Sequence, residues 1–188
     1  MKMRVWFSGG LTVLAVFAAA CVALASGASS RVAMSPAGGP IEIFVTVGQG
    51  TGGSIVIAGA IGDYGKVLTV GANGKPNPNG HFVDVTLRKG TFKVNKTELD
   101  KATNAARATV ESAATCSFGG TGTGPITLSD GTGAYAGISG TVTTTVTFGA
   151  DGPFYASGPK KGTCNMSENA KPLAQFSTAV GHGTIKFG

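Results

Sequence analysis

Two histidines, His81 and His182, are the only side chains of this sequence with an unshifted pKa suited to acid–base work near neutral pH. Each is flanked by glycine, the setting of a solvent-facing turn. A serine nucleophile to pair with either would need a Gly-x-Ser-x-Gly elbow, and the sequence has none. Among the nine carboxylates, Glu42 and Asp84 stand on well-patterned strands, out of phase with Ile41/Ile43 and Val83/Val85. If they faced an apolar interior, desolvation would raise their pKa values and make them candidate acid/base groups; if not, they face water. The expected metal set is none, because neither a CxxC pair nor histidines close to a cysteine occur. No cofactor is expected either. The glycine clusters at 48–53 and 119–124 look like phosphate loops, but neither ends in Gly-Lys-Ser/Thr, and both are read as flexible hairpin turns.

Of the cysteines Cys21, Cys116 and Cys164, the first lies in a segment with the marks of an export signal. Lys2 and Arg4 precede an apolar run over residues 11–24, and Ala23-Leu24-Ala25 supplies small residues for cleavage after Ala25. The run is short of the ~20 residues that a membrane span needs, so no stable anchor is expected after cleavage. Lipid on Cys21 is the competing reading of this segment. Export to an oxidising compartment would leave Cys116 and Cys164 to form one disulfide. Cleavage also removes two cations and takes the formal net charge from +6 to +4. The remaining basic residues are scattered, with only Arg88-Lys89 and Lys160-Lys161 adjacent, which argues against nucleic-acid binding. The sequons at Asn95 and Asn165 matter only in a glycosylating host.

The elements that would position these residues are strands. The chain has 188 residues, enough for about one domain, with 31 glycines and only 13 % charged residues against about 25 % in ordinary globular chains. Glycine and β-branched residues disfavour helical bundles, while 42 % hydrophobic residues suffice for a core. Residues 26–40 read as a flexible leader, and the folded domain as 41–188. Ile41, Ile43, Val45 and Val47 alternate with polar positions, as do Val83, Val85 and Leu87, and then Phe92 and Val94. Residues 54–60 are apolar on both sides, as expected for a strand with a covering layer. One short helix is expected over 97–106, opened by a capping box at Thr97-Glu98-Leu99-Asp100. Further strands are expected at 114–118, 126–128, 140–148, 162–166, 174–179 and 183–187. Eight to ten strands joined by short turns predict an all-β fold, a closed antiparallel β-barrel of about eight strands with one disulfide and at most one short helix.

The most distinctive segment runs Asp130-Gly131-Thr132-Gly133-Ala134-Tyr135-Ala136-Gly137-Ile138-Ser139-Gly140. Its glycines suit tight backbone and Tyr135 is a large anchor, so Asp130, Gly131, Thr132, Gly133, Tyr135, Gly137 and Gly140 are read as a structural motif. The segment resembles the GTG-aromatic-x-G stretch of the allene oxide cyclase and dirigent barrel families, above all small secreted bacterial proteins of that barrel type. The resemblance covers about a dozen residues. It implies an eight-stranded antiparallel barrel, often oligomeric, with an apolar cavity for a hydrophobic small molecule. The families' catalytic acids do not map onto positions here. Together with the export signal, it points to a secreted protein of a bacterium, Gram-positive by expectation.

Three functions follow as expectations. First is a secreted barrel that binds a small apolar ligand in its lumen, lined by Phe44, Phe92, Tyr135, Phe148 and Tyr155. Second is a structural or envelope-associated protein with a packed barrel, acting as a homo-oligomer. Third is a cyclase or isomerase that uses a buried carboxylate, Glu42 or Asp84.

Overall fold

The computed structural model of the chain describes residues 38–188 except Gln49, residues 107–109, Met166, Glu168 and Asn169. The expected signal segment, with Cys21, and the first part of the leader lie outside the described residues. Strands β1 (Gly39–Val47), β2 (Gly52–Gly59), β3 (Asp63–Val70), β4 (Phe82–Leu87) and β5 (Gly90–Asn95) run as a meander. Helix α1 (Thr97–Ala105) and the short β6 (Val110–Ser112) lead to the long strands β7 (Ser117–Ser129), β8 (Ile138–Asp151) and β9 (Ala174–Phe187). All pairings are antiparallel, in the order β5-β4-β3-β2-β1-β9-β8-β7, and β5 returns to β7 through Val94↔Leu128 and its neighbours. The result is the closed eight-stranded barrel expected from the alternation, with β6 as an extra strand on the start of β7. Closure leaves none of the eight with an unpaired edge along its whole length, which a meander of this length would otherwise expose.

The period-two pattern decides which side chains enter the barrel. Ile41 and Ile43 of β1, Ile55 and Ile57 of β2, and Val85 and Leu87 of β4 are buried together with Phe92, Val94, Ile126, Leu128, Val142 and Ile185. Their partners one residue away face water. Val56, which the two-sided apolar pattern of 54–60 placed under a covering layer, is 54 % exposed.

Residues 119–124 form no turn. They are the interior of β7, with Thr121 and Thr123 outside and Gly120, Gly122 and Gly124 inside. The glycines are needed there because α1 lies against the inner face of β7. A Cβ on Gly122 would stand 2.6 Å from Thr103 Cα, and one on Gly124 would stand 2.8 Å from Leu99 Cα. Leu99 thereby reaches the core. The capping box does not form, since the side chain of Thr97 donates to Asn95 Oδ1 and no side chain caps the helix. Likewise, β7 begins only at Ser117, and residues 162–165, the described part of the strand expected at 162–166, contribute an isolated Phe154↔Cys164 bridge in place of a strand. Cys116 and Cys164 are joined by a disulfide, which ties the long β8–β9 connection to the start of β7.

Candidate lumenal binding site

The barrel has one sealed end and one open end. At the sealed end, the 3-10 turn Gly133–Tyr135 between β7 and β8 lays Tyr135 across the barrel, fully buried and edge-on to Phe92 at 5.8 Å. The Tyr135 hydroxyl donates to Asp63 Oδ2 at 2.6 Å. Asp63 also accepts from the backbone N–H groups of Tyr64 and Lys89 and from Arg88 Nε at 2.9 Å. Burial pushes the Asp63 pKa up, but these donors outweigh it and hold the carboxyl well below the usual carboxylate range. Burial, and then donation to that carboxylate, raise the Tyr135 pKa. Arg88 extends outward over the Tyr64 ring, 4.3 Å from its centroid. The turn is stapled to β5 by Thr132 and Thr91, whose hydroxyls meet at 2.7 Å. Gly131 lies so close to the Tyr135 carbonyl that no Cβ fits between them.

At the other end a cavity of about 460 Å³ opens between the last residues of β1, β3, β5 and β8 and the first residues of β2, β4, β7 and β9. That volume lies within the ~300–1,000 Å³ of ordinary small-molecule sites. Ile43, Ile55, Val85, Phe92 and Ile126 line its depth, and Phe118, Phe148 and Phe176 stand nearer the ends of their strands. Among the described residues the charged ones in the lining are Lys96 and Asp100, one helical turn apart at the start of α1, with Lys96 Nζ 2.7 and 2.8 Å from the two carboxylate oxygens. His81, 57 % exposed, places Nδ1 2.8 Å from Asp100 Oδ2. Thr144 is part of the wall, with its hydroxyl oxygen fully buried.

No family model, curated protein or solved structure matches the chain. The reading of the site therefore rests on its own geometry.

Of the side chains expected to line the lumen, Phe92 and Phe148 do so. Phe44 does not: it is out of phase with Ile41 and Ile43, and stands on the outer face, 43 % exposed. Tyr135 is consumed by the seal and takes no part in the cavity lining. Tyr155 lies beyond the end of β8, beneath the Lys160 ammonium and away from the cavity. Glu42 and Asp84 are likewise corrected as lumenal acids. Glu42 is exposed on the outside of β1 beside His182, and Asp84 lies on the outside of β4 beside Lys93. Among the described residues the buried carboxylate is Asp63, which already holds four donors and does not line the cavity.

Asp63, Lys96, Asp100 and Thr144 were not singled out by sequence. For Thr144 a signal existed: in the run Thr143-Thr144-Thr145 on a half-buried strand, the middle residue must face inward. Among the described residues, no group of three or more His, Cys, Asp or Glu is placed to hold a metal ion.

Proposed function

We propose that this is a secreted bacterial barrel protein of the allene oxide cyclase and dirigent type that binds a small hydrophobic molecule in its lumen. The observation that carries this reading is the apolar cavity of about 460 Å³, closed below by the Tyr135–Asp63 seal and open at the opposite end. An apolar molecule gains free energy there in proportion to the surface it removes from water, about 25 cal/mol per Å². The Gly-Thr-Gly-x-Tyr-x-Gly segment supports the family, and the run of residues 1–25 supports export, in keeping with the Cys116–Cys164 disulfide. Native mass spectrometry of the protein secreted by its own host tests the proposal. A small-molecule mass that leaves on denaturation supports it; a uniformly apo protein that also takes up no added apolar probe counts against it.

A second reading is favoured by a different observation. Val180, Phe44, Val56 and Tyr64 stand side by side on the outer faces of β9, β1, β2 and β3, in direct register and each 43–54 % exposed. A contiguous apolar row of this kind suits contact with a second copy of the chain. Sedimentation of wild type and Phe44→Glu tests it, since a row-mediated oligomer dissociates in the variant and a monomeric wild type removes the reading.

A further inference from the structure

On the strength of the lumenal-binding reading, we propose that the open end of the barrel docks on an anionic lipid bilayer, from which the lumen takes its apolar ligand. Among the described residues seven large apolar side chains are exposed, and four of them form the row Val180, Phe44, Val56 and Tyr64 on the barrel wall. The other three, Phe154, Leu173 and Phe176, are 41 %, 67 % and 56 % exposed and belong to the open end. Phe176 pairs with Gly149, where β9 already runs past its last pair with β1, Val47↔Ser177. Leu173 stands just before β9, and its N–H donates to the Asp151 carbonyl at the end of β8. Phe154 lies in the bridge to Cys164, and the disulfide fixes that bridge to Cys116, the residue before β7. Pro172, Gln175 and Phe176 line the cavity itself, so the apolar rim continues into the lumen.

Charge selects the occupant. Lys160, Lys161 and Lys171 are exposed on the same β8–β9 connection, Lys171 two residues before Leu173 and the other two in the turn that follows Phe154. By sequence, residues 152–173 carry these three lysines against one carboxylate, Glu168, with Asp151 at their root. Binding to a bilayer surface grows with the apolar area that enters the headgroup boundary and with the attraction of cations to anionic lipid, and this rim offers both. The ligand chemistry agrees. A molecule apolar enough to fill the lumen partitions from water into lipid, and a mouth held at the headgroup level receives it without a passage through water.

The test is co-sedimentation with vesicles of phosphatidylcholine alone and of phosphatidylcholine with phosphatidylglycerol in equal parts, using wild type, Leu173→Glu and Lys160→Gln/Lys161→Gln. None of these three residues lines the cavity. Wild type partitions onto the anionic vesicles, and Leu173→Glu lowers that partitioning by about tenfold. The double lysine variant lowers it by about tenfold as well, while leaving binding to phosphatidylcholine unchanged. Thermal melts and vesicle-free uptake of the fluorophore N-phenyl-1-naphthylamine confirm that each variant is folded with its lumen intact. Wild type that stays in solution beside anionic vesicles, or Leu173→Glu that sediments like wild type, overturns the proposal even where the fluorophore binds. A vesicle-free dimer that Leu173→Glu dissociates assigns the rim to a second copy of the chain and overturns it too. Failure of folded wild type to take up the fluorophore overturns the lumenal reading itself, and the loading role with it.

Discussion

Tyr135 and Asp63, 72 residues apart in the chain, meet at 2.6 Å in a hydrogen bond that seals one end of the barrel. The phenol is fully buried, and the carboxylate would be costly to bury without its donors. Removing the hydroxyl in Tyr135→Phe leaves the ring packed on Phe92 but takes away one charge-assisted bond. The expected loss is about 2 kcal/mol, read by urea denaturation.

The same carboxylate sets an acid dependence. Its folded-state pKa lies below the unfolded value of about 3.9, so in that window the unfolded chain binds the extra proton. The contribution of Asp63 to stability is therefore complete above about pH 5 and is lost as pH falls toward the folded-state pKa. Unfolding free energy measured from pH 7 to pH 3 will fall more steeply in wild type than in Asp63→Asn. Parallel curves would show that the carboxylate gains nothing from its four donors.

Helix α1 sits on a glycine floor, and a methyl group there has no room. Gly122→Ala pushes against Thr103, whose Cα would lie 2.6 Å from the new Cβ. The expected destabilisation is about 1–3 kcal/mol, the usual range for overpacking, with Thr121→Ala on the outer face of the same strand as the mild control. Chemical denaturation of both variants checks the contrast.

Much of the barrel was legible because its strands alternate strictly. Ile41, Ile43, Val83 and Val85 mark the inside, and Phe92 and Phe148 are lumenal as expected, whereas Phe44, expected in the lumen, is out of phase with Ile41 and Ile43 and lies outside. The run Gly119-Gly120-Thr121-Gly122-Thr123-Gly124 misled because glycine is first a turn residue. Its alternation with threonine acquires meaning only once a helix is known to pack on it. The Asp63–Tyr135 seal was hidden for another reason: no local pattern connects an aspartate after a turn glycine to a tyrosine 72 residues later. Lys96 and Asp100 belong to the cavity through the placement of α1, which sequence periodicity does not specify.

Cys116 and Cys164 close a loop of 48 residues that contains β7 and β8. In the chain-entropy account the bond stabilises the fold by roughly 4 kcal/mol. Reduction, or the double change Cys116→Ala/Cys164→Ala, will lower the melting temperature, as differential scanning calorimetry will show. An unchanged melting temperature would mean that the β8–β9 connection is held without it.

The central claim is that the lumen is a binding site, and a titration of N-phenyl-1-naphthylamine into wild type and Ala179→Trp tests it most directly. Ala179 lines the cavity from β9, opposite Val45 and Val146 on the flanking strands, so an indole there occupies the lumen. The account predicts saturable fluorescence enhancement at one probe per chain in wild type and its loss in a folded Ala179→Trp variant. Equal enhancement in both proteins, or none in wild type, would contradict it.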